Sequence, residues 1–173
     1  MPERLAKIFS GKTSPRILVV GDLILDEYVS GAVKRVSPEA PVPIVDAQEW
    51  FAVPGGAANV AMNLRSVGCQ VVLAGVVGDD THGNKLEEML AQDGIDTRGV
   101  VVDAQRPTTH KLRVVSGAQQ LLRLDWEERD APSATIVDVL SAFVVDNLEE
   151  FDGVIFSDYC KGLFTPEMTQ QWI

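Results

Sequence analysis

Three short, unbroken apolar runs constrain this chain most: Arg16-Ile17-Leu18-Val19-Val20, Gln70-Val71-Val72-Leu73-Ala74-Gly75-Val76-Val77 and Gly153-Val154-Ile155-Phe156-Ser157. Each stops at a glycine or an aspartate. A strand that is apolar on both sides is buried on both sides, as in a parallel sheet covered by helices. Helical periods lie between the runs. Val60, Leu64 and Val67 recur over 57–67, with Gly68 as a C-terminal cap. Leu86, Met89 and Leu90 follow a cap at Asp80 or Thr81, and Gly94 ends that helix. Ile136, Val139, Leu140 and Phe143 repeat over 134–148. A further apolar run, Val100-Val101-Val102, supplies a fourth strand, and Thr165-Pro166-Glu167 opens a last helix. Strands alternating with helices give an α/β fold with a parallel sheet. Ligands of such sheets bind outside the carboxyl ends of the strands, where Asp22 and Asp26 fall.

Two segments break this alternation. Residues 28–53 hold Gly31, Pro38, Pro41 and Pro43 with β-branched residues between them, and Val42–Ala47 reads as an edge strand, where proline is tolerated. Thr108–Val115 and Gln119–Trp126 flank the turn Ser116-Gly117-Ala118 as a hairpin. These insertions, about 27–53 and 108–126, predict a β lid beside the parallel sheet. Side chains repeat every two residues along a strand, so Lys111 and Arg113 share a face. With Arg123 they read as an ordinary solvent face of the hairpin, while Lys34 and Arg35 of the first insertion are either solvated surface or a clamp on an anionic ligand.

Between the first insertion and the first helix lies Pro54-Gly55-Gly56-Ala57-Ala58-Asn59. Adjacent glycines allow positive φ and close approach of a ligand to bare backbone. The helix behind them offers unpaired N–H groups and a positive dipole end. Asn59, one turn in, both donates and accepts. The stretch is either a plain strand-to-helix turn or a site for a polyhydroxylated or anionic molecule. Asp26 is equally open to a ligand role or a structural one. Asp79 and Asp80 read as helix-capping residues in preference to metal ligands.

The formal net charge of −10 argues against nucleic acid and an anionic membrane surface as main partners, and leaves room for a local basic site for a phosphorylated ligand. No apolar run approaches a membrane span, and the first 14 residues read as an amphipathic lead-in helix, not an export signal. Cys69 and Cys160 form no paired motif and read as reduced thiols of a cytoplasmic protein. His82 and His110 have no metal-ligand spacing, so no metal site is expected.

Gly55-Gly56-Ala57-Ala58-Asn59-Val60-Ala61, Gly68 after six residues and Gly78 after nine more fit the first signature of the ribokinase-like (PfkB) sugar kinases. Within that family the chain is most similar to bacterial heptose 7-phosphate kinases, often the N-terminal half of a bifunctional kinase/adenylyltransferase. The likeness rests on Arg35-Val36-Ser37-Pro38-Glu39-Ala40-Pro41-Val42-Pro43, on Pro54–Asn63 and on Thr109-His110-Lys111-Leu112-Arg113-Val114. Gln119–Asp125 and Ser157-Asp158-Tyr159-Cys160-Lys161-Gly162 complete it.

The resemblance implies a partial ribokinase-like fold with an inserted β lid. It also implies ATP-dependent phosphorylation, with Mg2+, of D-glycero-D-manno-heptose 7-phosphate at the anomeric hydroxyl, for ADP-heptose and lipopolysaccharide core synthesis. In such kinases Asp26, Gly55, Gly56 and Asn59 hold sugar hydroxyls. Gln120 is a further hydroxyl partner, while Arg35, Lys111, Arg113, Arg123 and Lys161 are candidates for the sugar phosphate. In such kinases the lid also mediates dimerisation, so the resemblance implies a homodimer. Family members carry Asp-Thr-x-Gly-Ala-Gly-Asp in their C-terminal half, its last Asp being the catalytic base. These 173 residues contain no such segment. The chain is therefore expected to be an N-terminal portion, 1–173, without the catalytic base or most of the nucleotide site, and inactive as cut. The competing readings are an inert sugar-phosphate-binding or dimerisation module, and a kinase for another phosphorylated sugar. A dinucleotide-binding dehydrogenase is disfavoured, because Gly21-Asp22-Leu23-Ile24 is no GxGxxG turn.

Overall fold

A computed structural model describes residues 14–172. The expected lead-in helix lies outside these residues. The apolar runs form a parallel sheet of β1 (Arg16–Gly21), β4 (Gln70–Gly78), β5 (Asp96–Asp103) and β8 (Gly153–Ser157), in the order β5-β4-β1-β8. Successive β1 side chains point to opposite faces. Ile17 and Val19 pack with Ala57, Ala58, Ala61, Leu86 and Leu90 under helices α1 (Ala57–Ser66) and α2 (Thr81–Gln92). Leu18 and Val20 pack with Leu140, Val144, Met168 and Trp172 under α3 (Ala134–Asn147) and α4 (Pro166–Trp172). The expected α/β class is therefore present, a parallel sheet flanked by helices.

The helix faces differ from the sequence periods. α1 buries its alanines, whereas Val60 and Leu64 are only partly buried and Val67 is 76% exposed. Small side chains let the helix approach the sheet closely, which the larger valines would prevent. In α3 the buried residues are Leu140 and Val144, and Val139 lies on the exposed side.

The chain leaves the parallel sheet at Asp22 and enters a second sheet at Leu23. The apolar run that continues through Leu25 is thus shared between two sheets. β2 (Leu23–Val36), β3 (Pro43–Gly56), β6 (Thr109–Ser116) and β7 (Gln119–Trp126) assemble in the order β3-β2-β6-β7. β2 runs antiparallel to β3 and parallel to β6, and β6 and β7 form the hairpin. The two insertions make one sheet, because the edge of the first pairs with the edge of the second.

Asp80 joins the two bodies. It caps α2 by accepting from the amides of His82 (3.0 Å) and Gly83 (2.8 Å). Its other oxygen accepts from the Thr108 amide at 2.8 Å, at the entrance to β6. Thr108 Oγ1 in turn accepts from Gly78 N at the end of β4. Burial would raise the Asp80 pKa, but these N–H donors outweigh it and hold the carboxyl below its ordinary value.

Candidate functional site

The second sheet, the expected lid, has two chemically distinct faces, a consequence of period-two alternation in four adjacent strands. One face carries the rows Val53–Asp26–Lys111–Asp125, Phe51–Tyr28–Arg113–Arg123 and Glu49–Ser30–Val115–Gln120. The other carries Pro54–Leu25–His110–Trp126, Ala52–Glu27–Leu112–Leu124 and Trp50–Val29–Val114–Leu122. The first is polar and ionic. The second is largely apolar, with Trp50 70%, Leu122 51%, Leu124 40% and Trp126 46% exposed.

Asp26 sits where the polar face meets the glycine turn. Its Oδ1 accepts from Arg113 Nη1 at 2.6 Å, both side chains being largely buried. The guanidinium lies 5.3 Å from the centre of the Tyr28 ring, which stacks on Phe51. Burial opposes the charge on Arg113, yet Asp26 outweighs it and keeps the guanidinium firmly protonated. Gly55 pairs with Ile24 on β2, and a β-carbon on Gly55 would collide with Asp26 Oδ2. The bare backbone there is a requirement of the carboxylate's position. Gly56 has φ +56°, a left-handed conformation that glycine adopts without strain, and it turns β3 into α1. The first helical amide, Ala57 N, donates to Asp22 O at 2.9 Å. Asn59 is exposed on the first turn of α1.

Asp22 is 4% exposed and closes the crest of the parallel sheet. Its Oδ2 accepts from Tyr159 N (2.7 Å) and Lys161 N (3.2 Å), folding the loop after β8 over the end of β1. Burial raises its pKa against the pull of these donors. A crevice beside it is lined by Gly21, Leu23, Arg106, Thr109, Lys161 and Leu163. That loop brings Lys161 to the lid. Glu127, just after β7, accepts from Lys161 Nζ at 2.6 Å and Lys111 Nζ at 3.2 Å, and pairs with Arg129 at 2.6 Å. Lys161 foremost, with Arg129 and Lys111, brings the Glu127 carboxyl down to about 2. Asp125 accepts from Lys111 (2.8 Å) and Arg123 (2.7 Å).

The structure thus gathers Asp26, Gly55, Gly56, Lys111, Arg113, Arg123 and Lys161 around one end of the polar face. Gln120 lies in the outermost row. Arg35 is exposed near the far end of β2, opposite Ile44. The sequence reading missed Glu127, whose role depends on long-range folding. It also missed Glu27, although strand alternation already sends Glu27 to the face opposite Asp26.

Glu27, His82 and His110 place one donor atom each within 4.8 Å of one another, the arrangement to test for a metal. The test fails on chemistry. Glu27 already accepts from Lys85 Nζ at 2.5 Å and from His110 Nε2 at 2.9 Å. The two imidazoles stack at 4.1 Å and 21°, so their ring planes are nearly parallel and an ion in the plane of one ring lies out of the plane of the other. Burial, with His82 beside it, lowers the His110 pKa, leaving a neutral ring that donates Nε2–H to Glu27. Burial also acts on Glu27, but Lys85 and His110 outweigh it and hold the carboxyl down.

Comparison with known proteins places these features in a family. The model of the pfkB family carbohydrate kinases matches residues 14–172. The chain is 46% identical over 155 residues to "Bifunctional protein HldE" of Helicobacter pylori (strain J99), covering 90% of this chain and 34% of that protein. It is 49% identical over 148 residues to "D-beta-D-heptose 7-phosphate kinase" of Bordetella bronchiseptica, covering 86% of this chain and 46% of that protein. The chain therefore spans between a third and a half of the length of these relatives. Among solved structures, a carbohydrate kinase from Agrobacterium tumefaciens superposes with TM-score 0.56 at 20% identity, covering 74% of this chain and 43% of that one. Arabidopsis thaliana ribokinase complexed with ribose and ATP gives 0.54 at 20%, with the same coverage. At this identity the structural matches establish the fold alone.

Proposed function

Since this chain belongs to the pfkB family of carbohydrate kinases, we propose that it forms the sugar-holding part of a kinase for D-glycero-D-manno-heptose 7-phosphate. The reaction is transfer of the γ-phosphoryl group of ATP to the anomeric hydroxyl, giving the 1,7-bisphosphate for ADP-heptose and lipopolysaccharide core synthesis. The hydroxyl oxygen forms the new bond to phosphorus, the bond to the ADP oxygen breaks, and the hydroxyl proton passes to a base. The relatives' names support the substrate.

The observation that carries the reading is the Asp26 carboxylate held against the bare backbone of Gly55 at the foot of a polar lid. A carboxylate and a helix-terminal amide side chain suit vicinal hydroxyls. Asp26 and Asn59 orient the sugar, and the polar face covers it and excludes water. Lys111, Arg113, Arg123 and Lys161 supply positive charge for the sugar phosphate. Their carboxylate partners, Asp125 and Glu127, are the groups that such a phosphate must rearrange.

ATP with Mg2+ is the family's phosphoryl source. The described residues do not fit it: the helix start at Gly56 has its first amide bonded to Asp22 and a carboxylate beside it, which repels a triphosphate. The proposed base and nucleotide site belong to the Asp-Thr-x-Gly-Ala-Gly-Asp segment, absent from these residues. The 173 residues alone are accordingly proposed to bind sugar without turnover, in a cytoplasmic protein that dimerises through its lid.

Titration calorimetry tests the site. Asp26→Ala and Asn59→Ala in the full-length protein should each weaken heptose 7-phosphate binding by about tenfold or more. Unchanged affinity in folded variants overturns the assignment.

A further inference from the structure

We propose that Glu27 is a positioning residue for the sugar site: held by two elements at once, it fixes the part of β2 that presents Asp26. The inference rests on the sugar-kinase reading for the role of Asp26, but not for the geometry. Glu27 is 3% exposed. One oxygen accepts from Lys85 Nζ at 2.5 Å, the other from His110 Nε2 at 2.9 Å. Lys85 stands on α2, which Leu86 and Leu90 fasten to the parallel-sheet body. His110 stands on β6, stacked between His82 of α2 at 4.1 Å and Trp126 of β7 at 4.8 Å. A single carboxylate thus ties β2 to the body and to the rest of the lid.

Burying a charged group is expensive, and an apolar pair of the same shape serves stability as well. What the ion pair adds is register. Asp26 and Glu27 are successive acids on one strand, so a slip of one residue exchanges them between the two faces. Their lengths break the degeneracy. The longer Glu27 reaches Lys85, and the shorter Asp26 lies between Gly55 and Arg113. Asp26 is therefore held from behind by its neighbour as well as from the front by Arg113.

The test uses the full-length protein with Glu27→Gln, which keeps the shape and removes the charge, and Lys85→Met, which alters only the half-exposed partner and serves if the first variant does not fold. With heptose 7-phosphate as probe, the KM for sugar should rise about tenfold, with the KM for ATP unchanged. Amide exchange across residues 24–30 should quicken while β1 and β4 stay protected. Lys85→Arg should restore both. Equal rises in both KM values, or an unchanged sugar KM with faster exchange, overturn the proposal. If the parent protein does not phosphorylate heptose 7-phosphate, the kinase reading fails separately. Rotation of the Arg113 guanidinium, slowed by Asp26 and read by NMR without ligand, then decides. It must quicken in Glu27→Gln, and an unchanged Arg113 signal overturns the proposal.

Discussion

At the scale of single residues, the site depends on a missing side chain. A methyl group on Gly55 collides with the Asp26 carboxylate, whose other oxygen is fixed by Arg113. Gly55→Ala must push Asp26 off the guanidinium or part β3 from β2, at a cost of about 1–3 kcal/mol. Sugar binding should fall by at least the loss seen in Asp26→Ala, with thermal stability reduced as well. Calorimetry and a melt on the same sample check both, and wild-type affinity in Gly55→Ala would show that Asp26 has room to spare. As candidates, Asp26, Gly55 and Gly56 were legible in the sequence, because glycine pairs and carboxylates at strand ends are local signals. Glu27 was not, because its meaning lies in Lys85 and His110, more than fifty residues away, which only the folded sheet brings to it. The lysines were legible as charges but not as partners of Glu127.

At the scale of elements, the two sheets are joined by a few polar fastenings, and each has a measurable consequence. Asp80 serves α2 and β6 with one carboxylate. Asp80→Ala loses the cap and leaves the Thr108 amide unpaired, so stability should fall by roughly 1–3 kcal/mol; a chemical denaturation series measures it, and a change below the cap's own share would mean that β6 is held otherwise. Glu127 fastens the loop after β8 to β6 through Lys161 and Lys111. Its folded carboxyl is lowered to about 2 from an ordinary 4.5. A depressed acid stabilises fully above its unfolded value and loses that contribution as pH falls through its folded value. Glu127→Gln should therefore melt below the parent at pH 6, by about 1 kcal/mol, and the gap should narrow as pH falls from about 4.5 towards 2. A gap as wide at pH 2 as at pH 6 contradicts the assignment. The strands and helices themselves were legible in their apolar runs. The transfer at Asp22 from one sheet to the other was not, since Leu23, Ile24 and Leu25 are buried and apolar whichever sheet they join.

At the scale of the whole molecule, the lid divides its chemistry between two faces, and the apolar one needs an occupant. Trp50, Leu122, Leu124 and Trp126 are each at least 40% exposed, on three adjoining rows of one sheet. Scattered exposed apolar residues need no explanation, but a contiguous patch with two tryptophans is of the kind that partners cover. The polar face suits that partner less well: Phe51 and Val53 are exposed on it, but they lie among charges paired within the sheet. Under the proposal that the partner is a second copy, the same rows meet about a twofold axis, and an isologous interface places any substitution in it twice. Leu124→Arg then sets two guanidinium groups against each other in the apolar contact. Sedimentation equilibrium on the full-length protein should find a dimer for the parent and a monomer for Leu124→Arg. Arg123→Ala, one residue along and on the opposite face, should leave the dimer intact. Loss of association in both variants would mean that the lid had unfolded instead of parting. A monomeric parent would remove the second copy and leave the apolar rows to a partner of another kind.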